Sequence, residues 1–588
     1  MTFDVVEASI AELRAALETG RATSVELVTA YLERIDAYDR GGPRLNAVVV
    51  PNPHALDEAR ASDERRRAGG VAGPLDGIPY TAKDSYLVKG LTAAAGSPAF
   101  ASLVAQRDAF TIERLRASGA VCLGLTNMPP MANGGMQRGL YGRAESPYNG
   151  DFLTSAFGSG SSNGSGTATA ASFAAFGLAE ETWSSGRAPA SNNALCAYTP
   201  SRGVISVRGN WPLVPTMDVV VPHARSMADL LEVIDVVVHD DPDARGDFWR
   251  SQPWVHVPAA SSIRPTTAGA PTTAGSPATA TTPGAAASFP SLAPTSIDEA
   301  RSVLAGLTFG VPRMYLGTDD EAGTGTGIGG STGRRIHPRP SSLEVFEAVR
   351  RVLQDAGATV REVDFPAVSN YEGDRAGAPT IATRGLVTPE YLRREIVDLS
   401  AWAWDDFLRA NADPALDTLV GVDGASIFPH PDGALPDRYD GFDDDIASYP
   451  DQVRAHPYAA FTDIPALADG VRGLEETRRV DLEEWMRGLG LDAVLFPAVA
   501  DVAPADMDVN PESADLGWRN GVWVANGNLA IRHLGIPTVT IPMGLLPDIG
   551  MPIGLTIAGP AYTDAALLRQ AAALELLHPA RTRPPRTP

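Results

Sequence analysis

Gly77-Ile78-Pro79-Tyr80-Thr81-Ala82-Lys83-Asp84 is a turn, then a short apolar strand with a lysine at its end. Strand ends are where α/β scaffolds place reactive side chains. Lys83 and Lys89 are the only lysines among 48 basic residues, and every other such cation is an arginine. Arg stays protonated at any working pH, whereas a desolvated Lys can lose its proton and act as a base. Lys83 is therefore a candidate catalytic base, and Lys89 reads as a residual surface lysine.

Two further stretches stand downstream. Gly158-Ser159-Gly160-Ser161-Ser162-Asn163-Gly164-Ser165 runs into a helix built of Ala, Thr, Ser and Gly, whose small side chains would let helix and sheet backbones approach closely. Ala179-Glu180-Glu181-Thr182-Trp183-Ser184-Ser185-Gly186-Arg187-Ala188-Pro189 follows. Taken singly, each Ser/Gly run is an ordinary loop signal. Around them helices and strands alternate. Residues 7–40 read as two helices, with a capping box at Thr23 and Glu26 and a stripe at Leu27, Tyr31 and Ile35. Strands are expected at 121–125, 307–311 and 359–363, and an amphipathic helix at 343–356 ending at Gly357. The alternation predicts an α/β fold whose sheet is covered by helices on both faces.

Together, in this order, these stretches resemble the amidase signature family. Gly77 to Asp84 matches the family's Gly-Ile-Pro…Lys-Asp strand, and Gly160 to Ser165 matches its Gly-Ser-Ser-Gly-Gly-Ser run. Thr182 to Ser185 with Arg187, Pro189 and Thr199-Pro200-Ser201 matches the segment around its nucleophile. Thr126 to Pro129, Ser146 to Asn149, Asn528 to Ile531, Gly535 to Pro542 and Gly550 to Gly554 look like further family landmarks. The resemblance covers most of the chain. It implies one large amidase-signature domain over residues 1–588, built on a mixed twisted β-sheet, with both ends wrapped together. It also implies that Ser185 attacks an amide carbonyl and that Ser161 bridges it to a neutral Lys83. The backbone amides of Thr182, Trp183 and Ser184 would form the oxyanion hole, and the peptide bond before Ser161 would be cis.

The chain departs from the family pattern at several places. Trp183 and Ser184 stand where the family has two glycines, Glu181 where it has Asp, and Thr199 where it has Lys. Trp183 must therefore hold a permitted backbone conformation, and its ring would project into or beside the substrate pocket. Ser184 and Ser185 are adjacent, so the register is open by one residue; spacing to Ser161 and Pro189 favours Ser185.

Other chemistries fit less well. Gly160 to Gly164 formally matches a nucleophile elbow, but no buried strand precedes it, and the nearest histidine, His223, reads as structural. Neither lysine has Ser three positions before it, which excludes a Ser-x-x-Lys site. Cys122 and Cys196 lack metal-ligand spacing and read as buried thiols. Gly325 to Gly330 matches a dinucleotide fingerprint only formally, and the Asp443 to Asp445 run lacks the spacing of a calcium loop. No metal and no cofactor are expected.

The net charge of −23 and sequence pI of 4.8 argue against a nucleic-acid partner. The absence of a long apolar run argues against a membrane, and two cysteines do not make a disulfide framework, so a cytoplasmic enzyme is expected. The expected partner is a small-molecule amide substrate, and a homodimer is compatible with the sequence. Residues 258–296, rich in Pro, Ala, Thr, Ser and Gly, read as a disordered low-complexity insertion, and 322–333 as a flexible Gly-rich loop. Region 367–480 corresponds to the part that supplies the substrate-pocket wall in the family. Two alternatives stand beside a free-standing amidase: the glutamine amidase subunit of a tRNA-dependent amidotransferase, and a non-catalytic amide-binding relative.

Overall fold

The computed structural model describes residues 3–265, 287–325, 335–439, 445–519 and 522–588. Eleven strands form its framework: β1 (Val48–Pro51), β2 (Pro79–Lys83), β3 (Val121–Thr126), β4 (Phe176–Glu181), β5 (Cys196–Thr199), β6 (Val219–Ala224), β7 (Thr308–Pro312), β8 (Thr359–Val363), β9 (Ala493–Pro497), β10 (Thr538–Leu546) and β11 (Met551–Ala558). They make one mixed sheet in the order β1-β3-β2-β4-β6-β5-β10-β11-β9-β7-β8. β2 lies parallel to both β3 and β4, and β7 parallel to both β8 and β9. The remaining pairs are antiparallel.

The N-terminal and C-terminal halves of the chain meet in the middle of this sheet. β10 pairs with β5, setting Thr538 opposite Thr199, so the distal segment zips onto the strand that follows the serine-rich loops. The sheet is buried on both faces. Along β9, Ala493 and Leu495 join one hydrophobic core, whereas Val494 and Phe496 join another. Alternate residues of a strand point to opposite faces, so the two cores lie on either side. β2, β3, β4 and β6 are buried at every position, whereas the edge strand β8 is largely exposed.

Local signals are realised closely. Helices span Ile10–Glu18 and Ser24–Arg34, and the second starts on the Thr23–Glu26 capping box. β3, β7 and β8 form within a residue of their expected positions, and the amphipathic helix spans Pro340–Asp355. The small-residue helix spans Asn163–Ala170 and every one of its residues is buried. It packs closely on the sheet: a Cβ on Gly177 of β4 would lie 2.5 Å from Thr169 Oγ1 and 3.5 Å from Ser165 O of this helix.

The low-complexity stretch is ordered at its flanks. Ala260, Ile263 and Phe289 are buried, and the Arg264 guanidinium lies 5.3 Å from the Phe289 ring centroid. The rest of that stretch, 266–286, lies outside the described residues, as do most of the Gly-rich loop (326–333), the fingerprint-like Gly327 to Gly330, and Asp443 and Asp444. Among the described residues no helix is long and apolar enough to cross a membrane. Cys122 and Cys196 are free and buried.

Candidate active site

Lys83, the last residue of β2, is 1% exposed, and its Nζ lies 2.7 Å from the Oγ of Ser161, which is fully buried. Ser161 ends the loop before the small-residue helix, and its backbone N–H donates to Ser185 Oγ at 3.1 Å. β4 lies beside β2 and delivers the loop that carries Ser185, so two adjacent parallel strands converge on one point. The three residues expected to act together are therefore brought together.

The expected cis bond before Ser161 is not there: among the described residues every peptide bond is trans. Trans is the lower-energy isomer for a non-proline bond by about 3 kcal/mol. In this geometry Ser161 engages Lys83 through its hydroxyl and Ser185 through its amide, and no hydroxyl-to-hydroxyl hydrogen bond joins the two serines among the described residues.

Ser184 and Ser185 differ sharply in setting. Ser184 donates its hydroxyl to Ser159 O at 2.6 Å and accepts from the Ala525 amide at 3.1 Å. Its own amide donates to Ser159 Oγ at 3.1 Å. That amide, one of the three expected oxyanion donors, is thus committed to the neighbouring serine loop. Ser185 instead lines a cavity of about 70 Å³, together with Trp183, Leu213, Ile396, Tyr439, Tyr449 and Leu529. Trp183 avoids the left-handed region and meets the rings of Tyr439 and Trp523 edge to face, each at 6.4 Å between centroids. Ile396, Tyr439 and Tyr449 come from the region expected to supply the pocket wall.

Glu181 braces the loop. Its carboxylate accepts from the Gly186 and Arg187 amides and from Arg187 Nε, each at 2.9 Å, with both side chains fully buried. Arg187 in turn donates to the carbonyls of Trp183, Asn526 and Asn528. The distal Asn528 segment is therefore bonded directly to the serine loop.

Burial dominates the electrostatics. It holds the Lys83 amine down at about 8, against the opposing pull of Glu180, Asp218 and Glu181. Burial likewise pushes Asp84 up to about 8 and Asp218 up to about 7, and raises Glu180. His223 is pushed down to about 4 by burial and sits under the loop with Nε2 3.0 Å from Gly186 O, a structural placement. Glu180 and Asp218 do not stand out in the sequence, although a charged residue directly after the apolar run Phe176 to Ala179 is a signal for the first. Asp218 touches the site through Thr182 Oγ1, which donates to its Oδ1 at 2.5 Å; nothing in the local pattern announces that contact. Among the described residues no cluster of three His, Cys, Asp or Glu side chains could hold a metal ion.

The Amidase family model matches residues 26–287. A glutamyl-tRNA(Gln) amidotransferase subunit from Aromatoleum aromaticum is 35% identical over 240 residues, 40% of this chain and 47% of that protein. A probable amidase of Arabidopsis thaliana is 36% identical over 252 residues, 41% of this chain and 48% of that one. The chain thus spans about half the length of the curated relatives it matches. The fold is shared end to end with the native peptide amidase of Stenotrophomonas maltophilia, at a TM-score of 0.69 and 24% identity over 98% of both chains. Residues 26–287 thus carry the Amidase family pattern, and the fold of the whole chain is the one seen in solved amidases.

Proposed function

We propose that the protein hydrolyses the C–N bond of a carboxylic amide through an acyl-enzyme on Ser185. The observation that carries this reading is the buried contact between Lys83 and Ser161 beside Ser185 at a cavity wall. A serine hydroxyl is a poor nucleophile until a base takes its proton. Lys83, held down at about 8, is neutral in an appreciable fraction of molecules near neutral pH and can draw a proton from Ser161. Ser161 then accepts the Ser185 proton as Ser185 attacks the carbonyl carbon. For that transfer the two hydroxyls must come into hydrogen-bond reach. The proton returns by the same path to the leaving nitrogen, the C–N bond breaks, and water repeats the cycle to release the acid. The amides of Thr182 and Trp183 face the developing oxyanion. Losing such a donor typically costs about 3 kcal/mol of activation free energy.

The aromatic and aliphatic cavity wall suits an amide flanked by an apolar group. A free-standing amidase is favoured over a component of an amidotransferase because Trp183 and Ser184 stand where the family has two glycines and the chain carries the long 258–296 insertion. The reading places the enzyme in the cytoplasm, on its acidic composition and two unpaired thiols. Labelling with a fluorophosphonate probe, followed by mass spectrometry, tests the assignment. An adduct on Ser185 that disappears in Lys83→Ala is expected. An adduct on Ser184 or Ser162, or none in folded protein, would sink it.

A further inference from the structure

Behind the serine loop lies a second cavity, of about 190 Å³. The segment Trp211 to Asp218 forms the partition. Leu213 and Val214 face the Ser185 cavity, whereas Trp211, Pro212, Pro215 and Asp218 face the second one. Its walls are aromatic. Trp211 stacks on Phe407 with centroids 4.1 Å apart, Phe248 packs against Phe461 at 5.3 Å, and Trp402 lies at the same lining. Trp211 spends its indole N–H on Ala93 O at 2.8 Å and so presents only its ring.

The inner end is polar and carries two carboxyl groups. Glu180 reaches it, held by the Ser85 hydroxyl and the Asn210 side-chain amide, and Asp218 stands beside it. Asn210 is 6% exposed, and because its Nδ2 donates to Glu180, its Oδ1 is fixed as an acceptor. That Oδ1 has no hydrogen-bond partner among the described residues. A buried acceptor left unpaired is costly and calls for a donor. The cationic residues do not supply one. Arg208 is paired with Glu113 and Asp241, Arg245 with Asp406, and Arg107 is exposed at the rim.

We propose that this cavity binds an organic ammonium with an aryl or alkyl body, its N–H groups meeting Asn210 Oδ1 and the Glu180 and Asp218 carboxyls and its body lying between the aromatic walls. Carboxylates at one end and ring faces along the sides are the two attractions such a cation finds in proteins. A neutral ligand of the same shape gains only the second, and an anion meets Glu180 and Asp218 head on.

Isothermal titration of the wild-type protein with benzylammonium tests this, with benzyl alcohol as the neutral match. Binding needs no turnover, so its result is independent of whether Ser185 is the nucleophile. Saturable one-to-one binding of benzylammonium is expected, at least tenfold tighter than benzyl alcohol. Ala403→Phe, which fills the cavity from its wall, should weaken it at least tenfold, and Asn210→Leu should do the same. Equal binding of the alcohol, no binding of the ammonium, or unchanged affinity in folded Ala403→Phe would overturn the proposal. Should Ala403→Phe not fold, Trp402→Ala takes its place, and unchanged affinity there is equally fatal. Fluorophosphonate labelling in the presence of bound benzylammonium then identifies the source. A protected Ser185 marks the ammonium as part of a substrate reaching the serine, and an unprotected one marks a free amine held behind the partition.

Discussion

Lys83 must be neutral to receive a proton, so the reaction should follow its titration. With the amine held at about 8, about one molecule in ten carries neutral Lys83 at pH 7 and about nine in ten at pH 9. The rate of Ser185 modification should therefore rise about tenfold between pH 7 and pH 9, with its midpoint near 8 and a plateau above. A lysine left at its ordinary 10.5 would still be gaining at pH 10. Glu180 is the strongest of the neighbouring charges that keep the proton on Lys83, so Glu180→Gln should move the rise to lower pH. A unit charge several ångströms away at an effective dielectric near 20 is worth about 2 kcal/mol. At about 1.4 kcal/mol per pH unit, that is a displacement of roughly one to one and a half pH units. Gln retains the shape of Glu180 and an acceptor for Ser85 or Asn210, so a mere packing defect would lower the plateau without moving the midpoint. The assay is the second-order rate of fluorophosphonate labelling from pH 6 to 10.5, which needs no known substrate. A flat wild-type profile, or a Glu180→Gln midpoint that stays put or rises, would refute the reasoning.

Three other outcomes follow from the same contacts. Ser184→Ala should keep fluorophosphonate labelling and lose about 1–3 kcal/mol of stability by chemical denaturation, because it strips a buried partner from Ser159 and from Ala525; Ser185→Ala should abolish labelling, and it leaves only the Ser161 amide without its partner. Glu181→Gln leaves the buried Arg187 charge uncompensated and should destabilise the fold by about 3–5 kcal/mol, read as a fall in the urea midpoint. Lys83→Met should abolish labelling yet stabilise the protein by up to about 3 kcal/mol at pH 7. The sign is set by a folded amine held below its unfolded value. The cost of burying it is present in full below about 8 and is relieved as pH rises toward 10.5, because the unfolded chain there binds more protons. The gain should therefore shrink in denaturation curves taken at pH 10, and a gain independent of pH would be evidence against a depressed Lys83.

What could be read before any coordinates were known was whatever a few adjacent residues determine by themselves. Thr23 and Glu26 cap a helix because the reciprocal hydrogen bonds span three positions, and they do so in the structure. Lys83, Ser161 and Ser185 lie in runs whose Gly and Ser content is itself the pattern, and they are brought to one place. The cis bond expected before Ser161 is instead trans, because a resemblance carries a family's backbone geometry only as an expectation and the local sequence holds no proline to favour cis. The pocket was legible only in outline. Trp183 stood out as a departure and residues 367–480 were expected to wall the site, but nothing local singles out Leu213, Ile396, Tyr439 and Leu529 as the side chains that meet there.

The two departures that most disturbed the sequence pattern turn out to support each other. Trp183, standing where a glycine is expected, takes up an ordinary backbone conformation and finds Tyr439 and Trp523 as ring partners. Its carbonyl is held by Arg187, and Arg187 is held by Glu181, the residue that replaces the shorter Asp. The longer glutamate arm reaches the Gly186 and Arg187 amides and the guanidinium together. A loop made stiffer by a bulky ring and tied down by a fully buried ion pair can forgo the glycines, because its conformation is imposed by tertiary contacts rather than by what its own residues prefer. Removing the tie should therefore disturb the loop more than restoring a glycine at position 183 would, and the Glu181→Gln variant tests that ordering directly.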